Sequence, residues 1–261
     1  MLAVFFVFLY NKSITELGGA AVEHWEALKP GGYRFVYDDA LFPPGTDTFL
    51  LSSLPKLKRG LRVCDLGCGT GLLGLLLLQR QHELQVTGLD IQPEAIALAE
   101  RAAAENGLTD RLTFHAHDLR QAKELFPTGS FDLVVCNPPY YSPGSGAIAE
   151  DAAIRTARSE VSCTLEELCA SSAYLLRWGG SFCLVHKPER LTDVLCSLRE
   201  AAMEPKRLRL VSATPAHVPS LILVEGRRGG KPGLTVEPPL ILQNPDGTPT
   251  DEADAIYFRR P

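Results

Sequence analysis

From residue 61 onward, short apolar runs rich in β-branched residues alternate with longer stretches whose apolar positions recur at helical spacing. "LRVCDLG" predicts a strand and "GLLGLLLLQR" a helix that is apolar nearly all round, as expected of one lying against a sheet. "LQVTGLD" predicts the second strand. In "QPEAIALAERAAAENGL", Gln92 is a candidate cap, Pro93 takes the first helical position and Asn106-Gly107 supplies the stop, which makes this the clearest helix of the chain. "RLTFHAH" and "FDLVVCN" predict the third and fourth strands. "LEELCASSAYLLRW" predicts a helix closed by Gly179-Gly180, "SFCLVHK" the fifth strand and "PERLTDVLCSLREAA" a helix. "KRLRLVSA" and "SLILVEGR" predict two final strands. Alternation of this kind implies an α/β fold, here a seven-stranded, mostly parallel sheet covered by helices on both faces.

Residues 1–60 and 228–261 fall outside this rhythm. The tail "RRGGKPGLTVEPPLILQNPDGTPTDEAD" is dense in Gly and Pro, which predicts an extended segment laid over the core rather than a second domain. The opening "MLAVFFVFLY" is uninterrupted apolar sequence. It lacks the preceding positive charge and following small-residue site of a signal peptide, leaving a packing strand or over-extended start, a membrane-associating end, or a signal as the readings.

Composition narrows the class. Hydrophobic content of 45% and charged content of 22% are those of a globular protein. No window approaches the roughly 18 apolar residues that would span a bilayer, so no membrane partner is expected. Seven cysteines, an odd count without a C-x-x-C pair and several inside apolar runs, fit reduced buried thiols and a cytoplasmic location. His115 and His117 fit alternate strand positions better than a metal cage, and no metal is expected. The net charge of −5 argues against broad nonspecific binding to nucleic acid. Three basic clusters still leave room for an RNA partner: Lys56, Lys58, Arg59 and Arg62; Lys206, Arg207 and Arg209; and Arg227, Arg228 and Lys231.

Gly67, Gly69 and Gly71 follow the first strand in "DLGCGTGLLG" and let the backbone turn tightly and approach a ligand. A dinucleotide fingerprint would require glycine at 72, where this chain has leucine; the spacing fits a nucleoside without a pyrophosphate. Asp90 lies 21 residues past Gly69 at the end of the second strand, where a carboxylate can accept from both hydroxyls of a ribose. Asp118 follows the third strand. Each acid also has a structural reading: Asp65 capping the loop, Asp90 in a helix-start turn, Asp118 capping a helix.

"VCDLGCGTG" with "GLDIQPEA" resembles the Rossmann-like class I S-adenosylmethionine-dependent methyltransferases, and the resemblance covers about residues 45–226. It implies a cofactor, S-adenosylmethionine, with Asp65 and the three glycines along its methionine side. Asp90 is then on the ribose hydroxyls and Asp118 on the adenine amino group, with Ile91, Leu119 and Asn137 also in the cofactor site. Residues 1–44 become an N-terminal extension packing on the core, 45–226 the methyltransferase domain and 227–261 the tail.

Within the resemblance, Asn137-Pro138-Pro139-Tyr140 marks amino-methyltransferases that act on a planar, conjugated nitrogen. Such a nitrogen is a poor nucleophile, so the site must hold both N–H groups and aim the lone pair. The Asn137 side-chain oxygen can accept one N–H and the Pro138 carbonyl the other, on a backbone that proline holds rigid. Tyr140 can stack on the acceptor, and no strong base is required.

The motif fits adenine N6 or a glutamine amide. The flanks "GYRFVYDDALFPPGTDTFLL", "ARSE" and "EGRRGGKPGLTVEPPLIL" resemble bacterial enzymes that methylate adenine N6 beside the anticodon of a valine tRNA, with Gly45, Thr46 and Asp47 closing over the methionine end of the cofactor. Release-factor glutamine methyltransferases usually carry a helical domain ahead of the core, which sixty proline-containing residues fit poorly. Adenine in tRNA is the expected acceptor; protein glutamine, DNA or a small molecule, and a non-catalytic cofactor-binding module are the alternatives. The loop 140–160 is expected to order over substrate, with Arg155 and Arg158 available to phosphate, and Lys206, Arg207, Arg209, Arg227 and Arg228 to carry further phosphate contacts. Both a monomer and a homodimer fit the sequence.

Overall fold

A computed structural model describes residues 23–38, 45–139 and 163–259 of the chain. The opening apolar run, Tyr140 and the loop carrying Arg155 and Arg158 lie outside the described residues.

An antiparallel hairpin, β1 (Glu23–Ala27) and β2 (Arg34–Asp38), precedes helix α1 (Thr46–Ser53). Then follow β3 (Arg62–Leu66), α2 (Leu72–Arg80), β4 (Gln85–Asp90), α3 (Pro93–Glu105), β5 (Leu112–Ala116), a 3-10 helix (Leu119–Glu124) and β6 (Phe131–Cys136). The chain continues through α4 (Leu165–Leu175), β7 (Leu176–His186), α5 (Leu191–Glu200), β8 (Met203–Ser212) and β9 (Leu221–Arg228). It ends with β10 (Thr235–Val236), β11 (Leu240–Ile241) and α6 (Asp251–Ile256).

Strands β5, β4, β3, β6 and β7 lie side by side and parallel, β9 runs antiparallel between β7 and β8, and β10 and β11 pair with β8. The central strands are apolar at consecutive positions because both their faces are covered. Val63, Val135, Cys183 and Val185 pack into a core with α1, α2 and α3. Their neighbours Cys64, Leu66, Val134, Cys136 and Leu184 pack into a second core with α4 and α5. The strand order reverses at β3, which has β4 on one side and β6 on the other; in open parallel sheets that point carries the ligand crevice.

Every residue of α2 from Leu72 to Leu78 is buried, because the segments outside the alternating pattern cover its outer side. Helix α1 packs on it, and Tyr33 donates its backbone N–H to Gln79 Oε1 at 3.1 Å. Arg80 closes the arrangement, donating to Ser52 Oγ at 3.0 Å and to the Ile256 carbonyl at 2.9 Å, with Phe258 under its guanidinium.

Several expectations change. The main sheet has nine strands among the described residues, because two short tail strands extend it beyond the seven. The helix expected through Trp178 stops at Leu175; Leu176 takes extended backbone and pairs with Phe131, with a register shift before Leu133 pairs with Ser181. The tail also forms α6, capped by the Thr250 side chain on the Ala253 N–H.

The basic clusters are largely consumed internally. Arg207 pairs with Glu225 and Glu237, both at 2.7 Å, and donates to the Leu54 carbonyl at 2.9 Å. Arg209 binds both oxygens of Glu252, at 2.7 and 2.8 Å, and Arg228 donates to the Leu176 carbonyl. Lys206 donates to the Lys231 carbonyl at 3.1 Å. Phosphate contact by Arg207, Arg209 and Arg228 is therefore corrected: Arg207 and Arg209 tie β8 to β9, to the Leu54 carbonyl just past α1 and to the tail, and Arg228 ties β9 to the start of β7. Arg207→Ala would strand the buried Glu225 carboxylate, and a loss of about 3 kcal/mol is expected in denaturant unfolding.

Candidate active site

The carboxyl ends of β3, β4, β5 and β6 line one edge of the sheet and bring the sequence-predicted acids to it. Asp65 sits in β3, Asp90 ends β4, Asp118 follows β5 and Asn137 follows β6. Beyond β3 the chain enters the glycine loop, where Gly67, Gly69 and Gly71 have φ of +69°, +52° and +80°. A Cβ at Gly67 or Gly69 would meet nothing within 4 Å, so these positions combine a left-handed backbone with open space on the ligand side. At Gly71 a Cβ would come within 2.7 Å of the Phe114 ring, so packing as well as conformation demands glycine there.

Asp90 holds this loop in place. Its Oδ2 accepts the Gly69 N–H at 2.8 Å and its Oδ1 the Gln92 N–H at 3.0 Å. The helix-start reading of Asp90 is thus realised, together with a tie to the glycine loop that sequence did not reveal. An ionised carboxylate offers roughly four acceptor sites, so these two bonds leave capacity for ribose hydroxyls. Burial raises the Asp90 carboxyl while the backbone N–H groups oppose that shift. Ile91 beside it is 46% exposed, an apolar surface at the mouth of the crevice.

Asp65 is more deeply placed, at 2% exposure, and its Oδ2 has no hydrogen-bond partner among the described residues. Burial first, and then the Asp90 charge, push its carboxyl up to about 8. Asp118 differs in both respects. It caps the 3-10 helix by accepting the Arg120 N–H at 2.9 Å, and the Arg120 guanidinium, 2.5 Å from Oδ2, holds its carboxyl below the usual range. Leu119, next in sequence, packs partly buried against the second core.

Asn137 is half-buried and directs its side-chain Nδ2 to Thr48 Oγ1 at 3.0 Å. The bond holds the amide in place, with Oδ1 as the end left for an acceptor's N–H group. Pro138 is half-buried and Pro139 exposed at the rim. Thr48 belongs to the first turn of α1, whose N-cap is Gly45 and whose first residues are Thr46 and Asp47. The Tyr257 hydroxyl hydrogen-bonds Thr46, and the Tyr257 ring lies 5.5 Å from that of Phe49. The tail thus braces the segment expected to close over the cofactor.

Sequence reasoning missed Thr48, Arg120 and Tyr257, which carry no local signal. It also missed Gly88, whose signal is a glycine inside a strand. A Cβ there would lie 2.7 Å from Cys68 Sγ and 2.6 Å from Phe114, which is how β4 admits the glycine loop.

A parallel sheet with its glycine loop at the reversal point, acids at successive strand ends and Asn-Pro-Pro after the fourth of them defines a class I methyltransferase. Residues 36–201 match the methyltransferase small domain, and the chain belongs to that family. Two similar proteins are named tRNA1(Val) (adenine(37)-N6)-methyltransferase. One, from Yersinia enterocolitica serotype O:8 / biotype 1B, is 32% identical over 60% of this chain and 64% of its own. The other, from Yersinia pestis strain Pestoides F, is 33% identical over 64% of this chain and 68% of its own. The aligned part therefore spans about two thirds of these relatives' length. The crystal structure of a predicted O-methyltransferase from Agrobacterium tumefaciens shares the fold, with a TM-score of 0.68 at 21% identity, covering 82% of this chain and 96% of that one.

The cofactor of the family is S-adenosylmethionine. The residues present suit it: a buried carboxyl oxygen without a partner among the described residues calls for a cation, the open space beside Gly67 and Gly69 lets a ligand lie against the loop, and Ile91 offers an apolar shelf.

The raised Asp65 pKa has a measurable consequence. A carboxyl that is harder to ionise in the folded than in the unfolded chain binds more protons when folded, so its contribution to stability is lost as pH rises from about 4 to about 8. Asp65→Asn should therefore gain on wild-type protein, in cofactor-free urea unfolding, as pH rises over that window. A constant difference would show that Asp65 is ionised throughout.

Proposed function

We propose that the protein transfers the methyl group of S-adenosylmethionine to the exocyclic N6 amine of an adenine in tRNA, in the anticodon loop of a valine tRNA. The observation that carries this reading is Asn137 at the end of β6, its amide oriented by Thr48, at the edge where the glycine loop and Asp90 meet. The names of the two Yersinia relatives support the acceptor. A tRNA substrate also favours a cytoplasmic location, and among the described residues no helix is long and apolar enough to cross a membrane.

In this reading Asp65 balances the cofactor's ammonium group, and the backbone of Gly67, Gly69 and Gly71 lies along its methionine portion with Gly45, Thr46 and Asp47 across from it. Asp90 accepts from the ribose hydroxyls, Ile91 and Leu119 flank the adenine and Asp118 faces its amino group. When bound, S-adenosylmethionine supplies a methyl group on a positively charged sulfur that departs as a neutral thioether.

The chain's own residues make the acceptor nitrogen reactive by position. Asn137 Oδ1 and the Pro138 carbonyl accept the two N–H groups of N6, which favours a pyramidal nitrogen with its lone pair directed at the methyl carbon. Pro139 keeps the turn rigid, and Tyr140 stacks on the base. As the N–C bond forms and the C–S bond breaks, the nitrogen becomes acidic and its surplus proton leaves to solvent, so a side-chain base is not needed. Orientation of this kind can supply about 7–11 kcal/mol of the barrier.

The test is methyl transfer from labelled S-adenosylmethionine into unmodified total tRNA, with mass spectrometry of the digested nucleosides. N6-methyladenosine should form with wild-type protein and fall about a hundredfold or more with Asn137→Ala. Absence of that nucleoside, or transfer only to a glutamine-containing peptide, would overturn the proposal.

Thr48 offers a finer test. Thr48→Val keeps the shape but removes the acceptor for Asn137 Nδ2, and kcat should fall about tenfold, the value of one neutral hydrogen bond, with cofactor affinity unchanged. Thr48→Ser should restore the rate.

A further inference from the structure

Three basic side chains that the fold does not consume gather at the edge of the sheet opposite Asn137. There a cleft of about 180 Å³ opens between the segment leading into β3, the starts of β3 and β6, and the ends of β7 and β9 nearest to them. Lys56, Lys58, Arg177 and Arg227 line it, together with Asp132 and Glu225. Both acids are already engaged. Asp132 accepts from Arg177 Nε at 2.5 Å and from the Arg62 N–H at 2.9 Å, and Glu225 from Arg207 at 2.7 Å and Ser181 at 2.9 Å. Lys56, Lys58 and Arg227 are exposed, and none has an ion-pair partner among the described residues. Lys56 feels only the more distant charge of Glu237, which Arg207 already holds.

The most exposed large aromatic among the described residues stands at the same edge. Trp178 is 72% exposed and follows Arg177 directly. Its indole packs against Gly229, where a Cβ would fall 2.2 Å from the ring, while most of the side chain stays exposed. A surplus of three unmatched cations on a chain of net charge −5, set beside an exposed aromatic ring, matches what a sugar-phosphate backbone and an unstacked base require.

We infer that this edge is a second RNA-binding surface. Lys56, Lys58 and Arg227 contact phosphates and Trp178 stacks on a base of the same tRNA whose adenine lies at Asn137, so the inference rests on the reading of the protein as a tRNA methyltransferase. Asp132 in the cleft and Asn137 at the acceptor site are five residues apart on one extended stretch, about 17 Å. A stacked strand advances about 3.4 Å per nucleotide, so only an RNA longer than about five nucleotides can engage both ends. The surface therefore measures the body of the RNA, while Asn137 takes the base.

The experiment uses the full chain and an unmodified valine tRNA transcript, with binding followed by fluorescence anisotropy across a salt series and methyl transfer measured on the same samples. The triple variant Lys56→Gln, Lys58→Gln, Arg227→Gln should bind about tenfold more weakly and lower the salt slope by about two to three, since each phosphate contact contributes about 0.7–0.9. Trp178→Ala should weaken binding about tenfold with the slope unchanged. At saturating tRNA both variants should retain the wild-type methylation rate, because the surface is remote from the acceptor site. Wild-type affinity and slope in all of them would overturn the inference. Methyl transfer failing in wild-type protein would count instead against the proposed reaction, and the binding series would still decide the surface.

Discussion

A buried acid with no cation beside it among the described residues sets the terms for this active site. Asp65 lies at the centre of the sheet, 2% exposed, with one oxygen lacking a partner among the described residues and a second acid, Asp90, close enough to raise its pKa further. Burying an acid in this way is costly, and a fold tolerates the cost where a ligand can offset it. The neighbouring structure keeps that place open. Asp90 spends one oxygen on Gly69 and the other on Gln92, which ties the glycine loop to the end of β4. Gly71 and Gly88 let Phe114 and Cys68 close in behind the loop, so the loop's free side faces the crevice.

The acceptor side depends on a different element. Helix α1 carries Thr48, which orients Asn137, and two segments outside the repeating α/β pattern secure that helix. Arg80 of α2 joins Ser52 of α1 to the Ile256 carbonyl of the tail, and Tyr257 reaches Thr46. Arg207 links the Leu54 carbonyl just past α1 to β9 and to Glu237. The tail is in this way part of the support of the acceptor site.

The α/β rhythm was legible because buried parallel strands and their crossover helices impose long, unambiguous apolar patterns, and the glycine loop with Asp65, Asp90 and Asn137 was legible because each falls at a strand end. The start of β7 was not, because Leu175-Leu176 continues a helical pattern and only pairing with Phe131 makes Leu176 extended. The two-residue strands of the tail are too short to show a period. Thr48 and Tyr257 act across long sequence separations, and the fate of Arg207 and Arg209 was decided by Glu225, Glu237 and Glu252 arriving from elsewhere. A cluster of basic residues in sequence carries no information about which of them tertiary structure will neutralise.

The central claim, that the crevice is arranged around an acid awaiting a cation, is tested most directly by calorimetry of S-adenosylmethionine binding at about pH 7 in buffers of different ionisation enthalpy. With the Asp65 carboxyl at about 8 in the free protein and ionised once a cation sits against the loop, binding should release about one proton, and Asp65→Asn should abolish the release. Binding with no dependence on the buffer would mean that Asp65 is already ionised or never becomes so, and would contradict the account.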